Sequence, residues 1–263
     1  MNLALWAAKT GLDAQNTRMA IISNNLANTN TTGYKAGRAA FQDLMYQNIR
    51  QVGAQSTQNT QYSTGLTLGT GVRIVATEKD YTQGSSVQTN GALDMSVQGR
   101  GFLQITMPDG TIAYTRAGQF QLNNQGTIVD TDGDPLIPTI TIPPNATAVT
   151  ITQYGVVNAT LPGQQNPSQL GQIQLATFPN PGGLESMGNN LLQATLSSGD
   201  PVLGNPGGNE GLGTLQQGYL ENSNVDVVTE FVQMVLAQRA YESNSKVIKA
   251  ADDMYSQVNN MTH

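Results

Sequence analysis

The sequence contains no cysteine and a single histidine among its 263 residues. Without cysteine the chain can form no disulfide, no thiolate nucleophile and no thiolate metal ligand. Histidine is the most frequent general base and metal ligand, and the only one here, His263, is the last residue. These absences argue against an enzyme and against a bound metal or other cofactor.

Positive charge and long apolar runs are also scarce. Twelve basic residues stand against 18 acidic ones, which gives a net charge of −6. A nucleic-acid-binding protein needs a basic face, so we expect no nucleic-acid partner. No apolar run is long enough to cross a bilayer, and Lys9 and Asp13 interrupt the first one. We therefore expect no transmembrane segment, and no cleavable signal in the first residues.

Both ends of the chain show helical periodicity. Between Leu3 and about Asn28 there is no proline, and apolar residues recur every seven positions, which predicts a long helix. A second long helix is predicted from Val225 to about Asn260, with Asn224 or Asp226 as its N-cap. The first helix carries the series Leu5, Leu12, Met19 and Leu26. The second carries two series, Val227, Met234, Tyr241, Ile248 and Tyr255, and Ala240, Val247, Met254 and Met261.

Two apolar series on one helix are more than a single partner helix covers. We therefore predict that the two helices pair within one chain as a coiled-coil-like core, through the N-terminal series and the first C-terminal series. The second C-terminal series, from Ala240 to Met261, is then predicted to contact neighbouring copies. The alternative is an ordinary helical hairpin that packs on the middle of the chain.

The middle of the chain predicts β structure. Short alternating runs, such as residues 103–106 and 173–176, are bounded by Pro-Asp-Gly and similar turn sequences. The predicted fold class is therefore α+β, with long terminal helices and an antiparallel β-rich middle. The predicted domains are a helical core of residues 1–33 and 223–263, a β connector of 34–92 and 205–222, and an outer β domain of 93–204.

Residues 47–71 form a distinct part of the predicted connector. They are rich in Gln, Thr, Ser and Gly and contain few large apolar side chains. This composition is typical of a flexible arm or an extended connector that orders only against another surface. We expect this arm to lie across neighbouring copies.

The run Asp130–Asp134 is the sequence most like a metal site. A calcium loop of the EF-hand type needs glycine at its sixth position and glutamate at its twelfth. Here Gly133 is fourth and Thr141 is twelfth, so a tight turn is favoured. An enzyme on the outer domain would need a pair of acids in a cleft. Its candidates are Asp109, Asp130 and Asp134, which all lie at predicted turns.

The segment that ends the first helix fits no catalytic template. Its Asn, Thr and Gly residues predict a helix end and a turn. It resembles the signature of bacterial flagellar axial proteins, the family of rod, hook and hook-associated subunits. Residues 93–104, 114–118 and 223–242 resemble later segments of that family, in the same order. The residues of the first signature are Asn24, Asn25, Leu26, Ala27, Asn28, Thr32, Gly33, Tyr34 and Lys35.

This resemblance implies a structural subunit that self-assembles into a helical tube, with the paired helices around an inner export channel. The chain length and the 47–71 insertion most resemble subunits of the distal rod, the drive shaft that transmits torque to the hook. The resemblance also implies location in the periplasm-spanning rod of the flagellar basal body, and type III export without a cleavable signal. The implied partners are the chain itself, proximal rod subunits, the hook protein, the surrounding ring proteins and the export apparatus.

Two alternatives remain. Within the family, the chain would be a hook subunit or another rod subunit, since these proteins share their terminal segments. From a different class, it would be a secreted β-domain adhesin whose helical ends form only a stalk. Carbohydrate binding by the middle fragment alone would favour the adhesin.

Overall fold

The computed structural model describes residues 3–53, 55–57, 60–61, 63–164, 166–208 and 211–261. Two helices flank a strand-rich middle, which confirms the predicted α+β class. The chain divides into two compact units. The first, here the helical unit, comprises Met1–Ala27, Gly37–Lys79 and Asp226–His263; the second, the strand-rich unit, comprises Asn28–Ala36 and Asp80–Val225.

The helical unit contains α1 (Leu3–Ala27) and α2 (Val227–Met261), which contact each other. The helices run antiparallel. Gly11 of α1 lies against Asn244 of α2, whereas Asn25, which lies further along α1, donates a hydrogen bond to Glu230 near the start of α2. A Cβ atom at Gly11 would lie 2.8 Å from the Asn244 amide nitrogen, so glycine permits this close approach. Within the described residues, neither helix is long and apolar enough to cross a membrane.

Asp226 caps the start of α2. Its carboxylate accepts hydrogen bonds from the backbone N–H groups of Val228 and Thr229, at 2.9 and 3.3 Å. The backbone N–H groups of Thr229 and Val228 also hold the pKa of the Asp226 carboxyl below its ordinary value. Of the two predicted cap residues, Asp226 therefore takes this role, as expected for a carboxylate at a helix N-terminus.

The helical unit also contains an antiparallel ribbon of nested strand pairs. Its strands are β1 (Gly37–Asp43), β2 (Tyr46–Arg50), β3 (Gln55–Thr57), β4 (Thr60–Gln61), β5 (Leu66–Gly69) and β6 (Val72–Lys79). The strand β1 pairs with β6, β2 with β5, and β3 with β4. The described residues of 47–71, predicted as an arm that orders only against another surface, instead pair with one another through backbone hydrogen bonds across the ribbon.

In its described residues, the strand-rich unit contains sixteen short strands. They are β7 (Ser86–Gln88), β8 (Met95–Gln98), β9 (Leu103–Thr106), β10 (Ile112–Thr115), β11 (Gln121–Leu122), β12 (Ile128–Val129), β13 (Leu136–Ile137), β14 (Ala148–Ile151), β15 (Val156–Thr160), β16 (Ser168–Gln172), β17 (Leu175–Thr177), β18 (Glu185–Gly188), β19 (Leu191–Gln193), β20 (Val202–Gly204), β21 (Thr214–Gln217) and β22 (Tyr219–Glu221). A short 3₁₀ turn spans Pro181–Gly183.

These strands pair antiparallel in small sheets. The largest has the order β13-β9-β10-β19-β18, and a second has the order β14-β15-β16. The last strands return to the first ones of the unit, since β21 pairs with β8 and β22 pairs with β7. This return brings the residues just before α2 beside residues 86–98.

The core of the strand-rich unit contains aliphatic side chains and a smaller aromatic cluster. The fully buried aliphatic residues include Leu103, Ile105 and Leu136. In the aromatic cluster, the Tyr114 and Phe178 rings meet edge to face at 4.8 Å between centroids.

In the acidic run Asp130–Asp134, the Asp130 carboxylate accepts hydrogen bonds from the backbone N–H groups of Asp132 and Asp134, and Gly133 has a φ of +94°. This run is therefore a tight turn, as its sequence predicted.

Candidate functional site

The signature segment that follows α1 enters the strand-rich unit, where Lys35 joins a buried charge cluster. The cluster consists of Lys35, Arg116 and Glu221, whose side chains are 3%, 5% and 0% exposed. One Glu221 oxygen lies 2.6 Å from the Lys35 Nζ atom, and the other lies 3.3 Å from an Arg116 nitrogen. One carboxylate therefore pairs with two cations, so the three buried side chains together carry an excess positive charge.

Further hydrogen bonds hold the charged groups. Lys35 Nζ donates to the Thr82 carbonyl at 2.7 Å, and Arg116 donates to the Gly99 carbonyl at 2.7 Å. The backbone N–H of Gly84 donates to Glu221 at 3.0 Å. Burial lowers the pKa of Lys35 and that of Arg116, and in both cases the negative charge of Glu221 opposes this shift. The carboxylate thus favours the charged form of both cations inside the protein.

The charge cluster lies where three segments of the chain meet. Gly33 N–H donates to the Glu221 carbonyl at 2.8 Å, and Ala36 N–H donates to the Asn224 side chain at 2.8 Å. The Asn224 amide in turn donates to the Asp80 carbonyl at 2.9 Å. These bonds tie residues 33–36 to residues 80–84 and 221–224. The signature segment and the approach to α2 are therefore joined at one buried point of the strand-rich unit.

Gly33 is required at its position in this segment for two reasons. Its φ of +70° lies in the left-handed region, which a side chain disfavours. A Cβ atom there would also lie 2.5 Å from the backbone nitrogen of Ala117, where no flexible side chain could move aside. The neighbouring Tyr34 is buried. Glycine therefore lets the chain pass close beside Ala117.

Other signature residues make hydrogen bonds within each of the two units. In the helical unit, Asn25 is buried and its side-chain amide makes two hydrogen bonds with the backbone of Gly37. It accepts one from the Gly37 N–H at 2.8 Å and donates one to the Gly37 carbonyl at 2.9 Å. In the strand-rich unit, the Thr32 carbonyl accepts from the Asn190 amide at 3.0 Å. Leu26 and Asn28 are half-buried, and Asn24 and Ala27 are exposed. The signature thus supplies specific backbone contacts in addition to ending α1.

The structure places the residues of the predicted helix pairing at different depths. The α1 series Leu5, Leu12, Met19 and Leu26 is half-buried, as are Met234 and Ile248 of α2, whereas Val227, Tyr241 and Tyr255 are exposed. Among the helix residues whose burial the structure describes, the buried ones are Ala8, Ala14, Ile22, Asn25, Ala237 and Ala251. Small side chains thus occupy most of the buried positions. In the series predicted to contact other copies, Ala240 is half-buried and Val247, Met254 and Met261 are exposed.

A group of five exposed large apolar side chains lies at the start of α2. We call it the apolar face; its residues are exposed by 72% (Val228), 51% (Phe231), 54% (Val232), 47% (Val235) and 53% (Leu236). Positions spaced three and four residues apart lie side by side on a helix, so these side chains form one patch. Large contiguous apolar patches mark interaction surfaces. Counting residues in sevens missed this face, although its three-and-four spacing is visible in the sequence.

Sequence reasoning also missed the partners of Lys35. Glu221 and Lys35 are 186 residues apart, and Glu221 and Arg116 are 105 apart. Lys35 follows an apolar aromatic residue in a segment that has few charges. This is a weak sign of burial, and it does not indicate which acid would neutralise it.

Comparisons with known families match three segments of the chain. Residues 5–35 match the model of the flagella basal body rod protein family. Residues 96–159 match the flagellar hook protein FlgE/F/G D1 domain, and residues 216–261 match the C-terminal segment of the flagellar basal body rod FlgEFG proteins.

Whole-chain relatives carry related names. The chain is 50% identical to the flagellar basal-body rod protein FlgG of Buchnera aphidicola subsp. Schizaphis graminum, over 98% of this chain and 99% of that protein. It is 48% identical to the FlgG protein of Caulobacter vibrioides, over 95% of this chain and 96% of that protein. The FlgG protein of Bacillus subtilis is 36% identical over 98% of both chains.

Proposed function

Because the chain belongs to the family of flagellar basal-body rod proteins, we propose that many copies of it assemble into the helical tube of the distal rod. It is a structural protein of the basal body and not an enzyme. The observation that carries the proposal is the apolar face of α2, which a single copy leaves exposed. Burial of such a surface against identical neighbours would supply the free energy of assembly.

The proposal extends to how the helices act in the assembly. The N-terminal series from Leu5 to Leu26 packs on α2 of the same chain in a coiled-coil-like pair. Its support is the antiparallel contact of α1 with α2 and the half-burial of that series. Val247, Met254 and Met261, together with the apolar face, then contact neighbouring copies. Their support is their exposure in a single copy.

Family membership also supports the remaining proposed contacts. Proximal rod subunits, the hook protein, the surrounding ring proteins and the export apparatus are the proposed partners in the basal body. The tube would transmit torque across the periplasm, and its bore would serve as an export channel. None of the observations above favours the adhesin alternative.

The first prediction concerns the purified full-length chain. We expect single particles at low concentration and straight filaments above a threshold concentration, because repeated contacts that do not close produce a helical polymer. Electron microscopy across a concentration series checks this. Hydrogen exchange provides a second readout, since amides of α2 should gain protection when filaments form. A chain that stays a single particle at all concentrations, with α2 already protected, would contradict the proposal.

Residues 47–71 of the ribbon are proposed to lie across neighbouring copies and to stiffen the tube. Several large side chains on or beside the ribbon are exposed, among them Met45, Tyr46, Ile49, Leu66 and Leu68. We expect a variant with Ile49→Ser and Leu68→Ser to form filaments that bend more easily. The measurement is the persistence length of filaments in electron micrographs. An unchanged persistence length would remove the stiffening role, while leaving self-assembly itself intact.

A further inference from the structure

The helical unit contains a groove at one end of its helix pair. The groove has a volume of about 430 Å³ and lies among the last third of α1, the first turns of α2 and the strand β1. Its apolar lining includes Ile21, Ile22 and Phe41, and its charged lining includes Arg18, Arg38 and Glu230. A groove with both apolar and charged lining residues is suited to a protein segment that carries both kinds of side chain.

The groove has basic groups available for a partner. Arg18 donates to the neutral amide of Gln233, and no ion pair of Arg18 occurs among the described residues. Arg38 pairs with Glu78 at 2.9 Å, but its side chain is 74% exposed and a guanidinium has five N–H donors. Glu230 accepts a hydrogen bond from the neutral amide of Asn25 at 3.1 Å and keeps its negative charge in the lining of the groove. Arg18 and Arg38 are therefore the groups of the groove that an acidic side chain of a partner could pair with.

The opposite end of the helix pair carries a free helical tip. Gly11 lies against Asn244, so in an antiparallel pair Leu3 falls opposite about residue 252 of α2. Ala251 is buried, whereas the side chains from Asp252 to Gln257 are all exposed. The last ten residues of α2, which we call the tip, thus extend about 15 Å beyond the first described residue of α1.

The tip combines acidic and apolar side chains. Asp252 and Asp253 precede the exposed apolar residues Met254 and Tyr255. The bases Lys246 and Lys249 lie on the preceding turns, yet the described residues contain no ion pair between these lysines and the two aspartates. The tip therefore presents two carboxylates beside two large apolar side chains. These could pair with the arginines of the groove and contact its apolar lining residues.

We propose that the groove of one copy binds the α2 tip of the next copy. The proposal rests on the self-assembly proposed above and specifies one of its contacts. Because groove and tip lie at opposite ends of the helix pair, the contact joins two different surfaces and leaves both free at the ends of the polymer. Such a head-to-tail contact repeats without closing and produces a filament. Met254 and Tyr255 supply apolar contact, and the aspartates with Arg18 set orientation and register.

Disulfide cross-linking tests the contact without background, because the natural chain has no cysteine. The probe is the full-length chain with Ala39→Cys in the groove and Met254→Cys in the tip. The two positions lie at opposite ends of one helix pair, beyond the reach of a bond within one chain. After assembly and oxidation, we expect a ladder of covalent dimers, trimers and longer chains on a denaturing gel.

Two matched controls test whether the ladder arises from the contact between groove and tip. Each single-cysteine variant should give no more than dimers. A variant with Met254→Cys and the exposed position Asp200→Cys should give no ladder. Filaments that form without a ladder from the groove and tip pair would overturn this contact and leave the proposed function standing. Failure of the natural chain to form filaments would instead count against the proposed function.

A charge exchange supplies an independent readout. We expect Arg18→Glu alone, and Asp253→Arg alone, each to raise the threshold concentration for filaments about tenfold. The combination of both should return it to within about threefold of the natural value, because the ion pair is restored with its direction reversed. Thermal unfolding of each variant at low concentration checks that the single copies fold alike. Singles that raise the threshold without restoration in the combined variant would overturn the proposed pairing.

Discussion

Replacing Phe231 by glutamate is expected to abolish filament formation while leaving each copy folded. Half of the Phe231 side chain is exposed in the single copy, so the new carboxylate there stays in water. In the filament the same carboxylate would be buried without a partner, which costs several kcal/mol. We expect the threshold concentration for filaments to rise at least about 100-fold, measured by sedimentation and electron microscopy.

The position of Phe231 in α2 lets the substitution affect assembly without affecting the folding of the single copy. Phe231 lies in the second turn of α2, on the N-terminal side of the helix, where the helix dipole does not oppose a negative charge. Helix formation in the single copy is therefore preserved, and circular dichroism at low concentration should match that of the natural chain. A loss of helix signal would show that the variant acts on folding and not on assembly.

The matched control is Leu196→Glu. Leu196 is fully exposed and belongs to neither helix, so Leu196→Glu makes the same kind of change, apolar to acidic, outside the apolar face. We expect Leu196→Glu to form filaments at the natural threshold. If Phe231→Glu did so as well, the apolar face would not be an interface between copies, and the observation that carries the proposed function would be lost.

The helices and the fold class could be predicted because their signals are local. Helical periodicity and the absence of proline place α1 within one residue of its end at Ala27, and predict α2 within two residues of its start at Val227. Short alternating runs between glycine- and proline-rich turns predict the strand-rich middle. Each of these signals depends on neighbours in sequence, which composition and spacing record directly.

The depth of residues within the helix pair was harder to predict. A seven-residue count treats Leu5 and Tyr255 as equivalent members of one seam, but large side chains hold helices apart. The structure instead buries Ala8, Ala237 and Ala251, because small residues allow closer approach of the two backbones. The large members of each series lie beside this line, half-buried or exposed.

The ribbon and the charge cluster are two further features that the sequence did not predict. Polar composition predicted an arm without its own pairing at residues 47–71, yet backbone hydrogen bonding between β2 and β5 does not require apolar side chains. Lys35, Arg116 and Glu221 meet across more than a hundred residues, through the return of β22 to β7. Such a meeting follows from topology, which a local pattern does not contain.

Removal of the Glu221 carboxylate should be the most destabilising single change in the strand-rich unit. Glu221→Gln leaves Lys35 and Arg116 as two buried cations without a counter-charge. Breaking a buried ion pair on one side costs about 3–5 kcal/mol, and we expect a loss of this size in the free energy of unfolding. Urea denaturation of the full chain, followed by the near-ultraviolet signal of the buried aromatic cluster, measures it.

The matched control for this change is Glu78→Gln, which breaks the exposed pair with Arg38. Exposed pairs contribute at most about 1 kcal/mol, so this variant should unfold almost as the natural chain does. Replacing the whole cluster, with Lys35→Met, Arg116→Met and Glu221→Leu, should recover much of the loss, since no unpaired charge then remains inside. The cost of Glu221→Gln therefore measures uncompensated charge. If it equalled that of Glu78→Gln, the cluster would not be what joins the signature segment to the approach to α2.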